Sequence, residues 1–82
     1  MNDAALGELI RCLRESGFSK EDNAAVCLAL RGWPYEMDNL SLFILKNRPT
    51  QNEIMEKFYE IMCKHDPSLA RKEDYTNTNS SK

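Results

Sequence analysis

The sequence lacks most features that mark an enzyme, a membrane protein or a secreted protein. Its 82 residues include one histidine and three isolated glycines, so there is no glycine-rich phosphate loop and little material for acid–base or nucleophilic catalysis. No apolar run is long enough to cross a bilayer. The first residues have neither a basic segment nor a long apolar one, so we expect no secretory signal peptide. The sequence therefore predicts a non-enzymatic protein without a cofactor.

An excess of basic residues is also missing. The chain has 13 acidic and 11 basic residues and a net charge of −2. Proteins that bind the phosphate backbone usually carry a basic excess or a basic face. The charge balance therefore favours a protein rather than a nucleic acid as the partner.

The cysteines do not form the close pairs that are typical of zinc sites. Cys12, Cys27 and Cys63 are far apart, and a four-ligand site would need to add His65 and to join three helices. We therefore expect no metal site and interpret Cys12 and Cys27 as core residues. An odd number of cysteines favours a reducing compartment, which predicts a cytoplasmic protein.

Apolar residues at helical spacing predict an all-α fold. The predicted fold is a small bundle of four short helices, at about residues 3–15, 20–31, 37–46 and 51–64. The clearest helix start is Thr50-Gln-Asn-Glu53, which fits a capping box. In this motif the side chains of the first and last residues each accept a hydrogen bond from the backbone N–H of the other. Ser19 provides a second cap, and Gly17 fits a left-handed stop after the first helix.

Two segments around the third helix have sequences that fit more than one conformation. Trp33-Pro34-Tyr35 is predicted to be a rigid connector, because Pro34 fixes its own φ and disfavours a helical Trp33. The apolar run from Leu42 to Leu45 is assigned to a helix, since no second strand is available to pair with it. The pattern leaves open whether Trp33 plugs the bottom of the bundle or lies on its surface.

The composition changes near residue 68, which predicts a helical domain at 1–67 and a flexible polar tail at 68–82. The segment from Tyr75 to Lys82 has almost no apolar group, so burial cannot offset the entropy of ordering it. We therefore expect a disordered C-terminal tail.

The remaining apolar and aromatic residues exceed what four short helices can bury on their inward faces. Surfaces rich in methionine and aromatic residues are typical of helix-in-groove and homodimer contacts. We therefore predict an adaptor or modulator that contacts another protein or a second copy of itself. Small modulators from phages and mobile elements have this size. The predicted partner surface comprises Trp33, Tyr35, Met37, Leu42, Leu45 and Tyr59.

A small DNA-binding regulator is the first alternative. The second to fourth helices are long enough for a helix-turn-helix pair. Arg48, Gln51 and Asn52 lie where recognition helices carry base-reading residues. Against this, the same helix carries three glutamates that would face the phosphates.

A ubiquitin-binding module is the second alternative. The segment Leu13–Leu28 resembles the start of a ubiquitin-associated domain, in which a Met-Gly-Phe-type loop leads into a second helix rich in alanine and leucine. Ser16 replaces the usual methionine, and Trp33-Pro34-Tyr35 departs from the short second loop of the family. The resemblance implies a three-helix module whose binding patch includes Gly17, Phe18 and the end of the third helix. A glycine stop followed by a hydrophobic staple explains the same two residues.

Deletion of residues 75–82 is predicted to leave the melting temperature unchanged, because this segment has almost nothing to bury. Thermal unfolding followed by circular dichroism tests this directly. A loss of several degrees would show that the tail docks on the domain and that the predicted boundary is wrong.

Overall fold

The protein folds into four α-helices, as a computed structural model that describes residues 3–66 and residue 68 shows. Their bounds are α1 (Asp3–Glu15), α2 (Lys20–Leu30), α3 (Pro34–Asn47) and α4 (Gln51–His65). Within the described residues there is no strand. The predicted small all-α bundle is confirmed, and the predicted bounds of α1 are correct.

The turn after α1 is a Schellman motif, which forms at Gly17. This glycine has a φ of 93°, a left-handed conformation that side chains disfavour. The Phe18 N–H donates to the Leu13 carbonyl at 3.1 Å, and the Gly17 N–H donates to the Arg14 carbonyl at 3.0 Å. These bonds satisfy carbonyl groups at the end of α1, and Phe18 is buried in the core. The predicted glycine stop is confirmed.

Side-chain caps begin α2 and α4, as predicted. The Ser19 hydroxyl accepts the Asp22 N–H at 3.1 Å. At the start of α4, the Glu53 N–H donates to Thr50 Oγ1 at 3.1 Å. The Thr50 N–H donates in return to Glu53 Oε1 at 2.8 Å. The capping box is therefore complete.

The third helix begins at Pro34, so the predicted start at residue 37 is wrong, and of the predicted connector Trp33-Pro34-Tyr35 only Trp33 lies outside the helix. Proline is favoured at the first helical position, where its missing N–H leaves no bond unmade and its fixed φ suits the helix. Trp33 is the N-cap, with a φ of −130°. The helix ends at Asn47, and Arg48 follows in a left-handed conformation with a φ of 49°.

Smaller differences occur at two other helix ends. The second helix ends at Leu30, and Arg31 is its C-cap rather than its last residue. The fourth helix reaches His65, one residue beyond the predicted end.

The core lies between α3 and the other three helices, all of which contact α3. Cys12 and Cys27 are buried there, as expected. The side chain of Asn23 is also buried and joins α2 to α1, because its Nδ2 donates to the Ile10 carbonyl at 3.0 Å. The buried apolar side chains are Ala5, Leu9, Cys12, Leu13, Phe18, Val26, Cys27, Leu30, Met37, Leu40, Ile44, Ile54 and Ile61.

The α1–α2 turn and the start of α4 meet at one end of the bundle. Gln51 Nε2 donates to the Ser16 carbonyl at 3.1 Å. The Gln51 amide lies so close to the turn that a Cβ added to Gly17 would come within 2.6 Å of Nε2. Gly17 therefore meets both a conformational and a steric requirement.

The predicted tail lies outside the described residues, except for Ser68. The Ser68 N–H and hydroxyl both donate to Asp66 Oδ1, at 3.2 Å and 2.7 Å. No helix in the described part of the chain is both long and apolar enough to cross a membrane.

Thr50→Ala is predicted to lower the free energy of unfolding by about 1 kcal/mol, because it removes the hydroxyl acceptor of the capping box. In a domain of this size the melting temperature should fall by about 4–8 °C per kcal/mol. Asn52→Ala is the matched control in the same helical turn, since Asn52 is exposed. Equal melting temperatures for Thr50→Ala and wild type would contradict the role assigned to the cap.

Candidate functional site

The solvent-facing side of α3 carries large apolar side chains that do not pack into the core. Tyr35, Leu42 and Leu45 are 85%, 60% and 44% exposed. Asp38 and Lys46 are exposed on the same side. These five residues are called the outer face of α3 below.

The spacing along α3 places these residues opposite the core. Positions 35, 38, 42 and 45 follow one another at intervals of three and four, which keeps them on one side of a helix. Met37, Leu40 and Ile44 fill the core on the other side. The helix is therefore apolar on two opposite sides, and only one of them is covered by the described chain.

A groove runs between α3 and α4 along one edge of the outer face. It has a volume of about 410 Å³, and Leu42, Phe43 and Ile61 supply its apolar lining. Its charged lining is mixed, because Lys57 and Lys64 lie beside Glu36 and Glu60. Lys57 Nζ lies 5.7 Å from the Phe43 ring centroid, within the range of a cation–π contact.

The structure does not gather the six predicted surface residues into one surface. Tyr35, Leu42 and Leu45 share the outer face of α3. Met37 is 3% exposed and belongs to the core, so its assignment to the surface is corrected. It lies two residues after Tyr35, and residues two apart point to different sides of a helix.

Trp33 and Tyr59 also lie apart from the outer face. Trp33 is half-buried and packs against the core, which agrees with the plug rather than the surface interpretation. Tyr59 is 39% exposed on α4. It is about 200° around that helix from Lys57, which lines the groove beside α3. Tyr59 therefore lies on the flank of α4 that is turned away from α3.

A buried carboxylate joins the start of α3 to the end of α4. Glu36 is 4% exposed. Its Oε2 lies 2.8 Å from Lys64 Nζ and 2.6 Å from His65 Nε2. Its Oε1 accepts a hydrogen bond from Asn39 Nδ2 at 3.0 Å. The His65 ring stacks on Trp33, with a centroid distance of 4.4 Å and an interplanar angle of 16°.

These partners keep Glu36 ionised. The hydrogen bond from Lys64, followed by that from His65, lowers the pKa of Glu36 to about 2, although burial opposes the shift. An ionised carboxylate accepts hydrogen bonds and donates none. In the hydrogen bond between this carboxylate and His65, the Nε2 atom is therefore the donor.

The sequence does not predict this cluster. His65 stands out in the sequence only as a possible fourth zinc ligand, whereas its ring is stacked on Trp33 and bonded to Glu36. The two bonded residues are 29 positions apart, so no local sequence pattern predicts their contact. A glutamate two residues after a proline reads as an ordinary first-turn acid.

Two of the three cysteines, Cys12 and Cys27, are buried, and Cys63 is half-buried. Burial raises the pKa of Cys12 and of Cys27, which favours the neutral thiols over the thiolates that bind metal. Cys12, Cys27 and Cys63 belong to three different helices. No cluster of three or more histidine, cysteine, aspartate or glutamate side chains able to hold a metal ion occurs in the part of the chain that the structure describes.

Residues named for the two alternative functions are also engaged inside the molecule. The Gln51 amide, a candidate base reader, donates to the Ser16 carbonyl, while Asn52 is exposed. Phe18, a member of the patch implied by the ubiquitin-associated resemblance, is buried in the core. The described fold therefore uses both Gln51 and Phe18 to hold itself together.

Comparison with protein-family models, curated proteins and solved structures finds no match for this chain. The geometry of the chain itself is therefore the basis for a functional proposal.

Glu36→Gln is predicted to remove a pH-dependent part of the stability. The folded pKa of about 2 lies below the ordinary value of 4.5, so the unfolded chain binds the proton more readily. The carboxylate's contribution is complete above about pH 5 and disappears as the pH falls towards 2. The difference in unfolding free energy between wild type and Glu36→Gln, measured with denaturant, should shrink across this range.

Glu56→Gln is the charge-matched control, since Glu56 is an exposed carboxylate on α4. Equal effects of Glu36→Gln and Glu56→Gln at every pH would contradict the assigned pairing. Lys64→Gln should raise the pKa of Glu36, because the hydrogen bond from Lys64 is the largest cause of its shift. Carboxyl carbon chemical shifts followed by NMR report this value directly.

Proposed function

We propose that this protein works without catalysis, as an adaptor or modulator that binds a protein through the outer face of α3. The observation that carries the proposal is the exposure of Tyr35, Leu42 and Leu45 on one side of one helix. Isolated exposed apolar residues are normal on protein surfaces, whereas clustered ones mark interaction sites.

The chemistry of the outer face suits a protein contact. Tyrosine is enriched at interface hot spots, because it buries a large rigid ring and keeps a polar hydroxyl. Full burial of an exposed leucine contributes about 1.5–3 kcal/mol, and Leu42, which is 60% exposed, would contribute a part of this. The helix is already folded, so binding does not require the backbone to be ordered first.

Two features support the absence of catalysis. The only histidine of the sequence donates to Glu36, which ties two helices together. The Cys12 and Cys27 thiols are buried, and burial raises the pKa of each, which disfavours a reactive thiolate. These side chains are therefore better explained by stability than by reaction chemistry.

DNA binding is less well supported than protein binding. The three-residue turn between α3 and α4 fits a helix-turn-helix pair. The start of α4 is nevertheless occupied by its own contacts, since Gln51 bonds to Ser16 and Glu53 completes the capping box. The net charge of −2 also opposes attraction to phosphates.

A photo-crosslinking residue at position 42 is predicted to form adducts with a protein in the cells from which the chain originates. The yield of these adducts should fall strongly when Tyr35→Ser and Leu45→Ser are added, because both changes remove apolar contact area from the outer face. The same crosslinker at the exposed position 56 on α4 is the matched control. Adducts are resolved by electrophoresis and identified by mass spectrometry.

Two results would overturn the proposal. One is a position-42 crosslinker that yields no protein adduct, or adducts that persist unchanged in the Tyr35→Ser/Leu45→Ser background. The other is a titration with duplex DNA, followed by NMR amide shifts, in which Arg48, Gln51 and Asn52 respond at physiological salt. Shifts at Gly17, Phe18 and Leu45 on addition of ubiquitin would favour the ubiquitin-binding alternative.

A further inference from the structure

We propose that the occupant of the outer face is a second copy of this chain, bound with its α3 antiparallel to the first and with Leu42 at the two-fold axis. This inference rests on the proposed function and specifies its partner. It is carried by the order of charged and apolar residues along α3.

Asp38, Leu42 and Lys46 form one row along the helix, because each lies four residues from the next. The acid and the base are therefore about 6 Å before and after Leu42 along the helix axis. Both are exposed. Neither forms an ion pair with any side chain in residues 4–66 or Ser68.

This row is self-complementary in only one direction. Reversing the helix about Leu42 brings Asp38 of one copy opposite Lys46 of the other, and the symmetry repeats the pair on the far side of the axis. A parallel arrangement would instead place Asp38 against Asp38 and Lys46 against Lys46. Such reciprocal pairing is the property of a two-fold, isologous interface, and like charges brought together oppose the parallel alternative.

Apolar contacts complete the same surface. Leu42 meets its own symmetry mate at the centre, and Tyr35 and Leu45 extend the contact on either side. The outer face of α3 has three exposed large apolar residues, compared with two on α4, Met55 and Tyr59. No other helix in the described chain combines that number with an acid and a base placed symmetrically about its centre.

A contact through one helix face is small. Interfaces of less than about 1,200 Å² are characteristic of weak complexes, so a Kd of about 1 µM to 1 mM is expected. The dimer should therefore form in a concentration-dependent manner. Its ion pairs belong to a small contact that water and salt can reach, so added salt should weaken it.

Sedimentation equilibrium of the full chain tests the arrangement through charge exchange. Asp38→Lys and Lys46→Asp should each weaken self-association by about tenfold or more, because each places like charges together twice. The double variant Asp38→Lys/Lys46→Asp should regain the wild-type association, since it only exchanges the two sides of each pair. An equimolar mixture of the two single variants should associate more strongly than either alone.

Glu56→Lys changes the charge on exposed α4 and should leave self-association unchanged. Circular dichroism and thermal melts establish that each variant is folded before its association is compared. Leu42→Glu, at a position that is already exposed, should abolish association without loss of helix. A dimer that tolerates Leu42→Glu, or single charge variants whose mixture and double variant recover nothing, would overturn the proposed arrangement.

The outcome also separates this inference from the function on which it rests. A chain that stays monomeric up to millimolar concentration, while position-42 crosslinks to a different protein depend on Tyr35 and Leu45, would overturn the second-copy inference alone. A self-adduct at position 42 together with recovery in the charge exchange would support both. Loss of both the crosslink and the self-association would overturn both.

Discussion

The buried Glu36 carboxylate is the interaction on which the arrangement of α3 and α4 depends. Removing a charge from water costs several kcal/mol unless partners satisfy it. Here Lys64, His65 and Asn39 supply hydrogen bonds to both oxygens. Glu36 is near the start of α3 and Lys64 is near the end of α4, while the two helices are joined at their other ends by the turn at residues 48–50. The two helices are thus connected at both ends, and this fixes their orientation relative to each other.

The outer face follows from that constraint. The third helix presents Met37, Leu40 and Ile44 to the core and contacts α1, α2 and α4. Its remaining side is therefore held outward by a rigid support rather than by a loop. Residues on a preformed helix lose less conformational freedom on binding than residues on a mobile segment. The same packing that stabilises the domain thus prepares a surface for recognition.

Local signals made the helices predictable, while tertiary contacts limited the prediction of the site. Thr50 with Glu53, Ser19 and Gly17 act within a few residues, so the sequence alone located the boundaries that they set. Pro34 was misread because the same residue that interrupts a helix also begins one. The roles of Glu36 and His65 depend on a contact between residues that are 29 positions apart, which no local pattern predicts. The exposure of Tyr35 and Leu42, in contrast with the burial of Met37, depends on which side of α3 faces the neighbouring helices.

The contact between Gln51 and the turn at Ser16–Gly17 limits where the length of this chain can change. Surface turns ordinarily tolerate inserted residues, because few contacts are lost. At this end of the bundle, two turns that are distant in sequence share one hydrogen bond and leave no room beside Gly17. An insertion in the α1–α2 turn would therefore disturb the start of α4 as well. Homologous chains, and any tagged or circularly permuted version of this protein, are expected to keep the length of this turn.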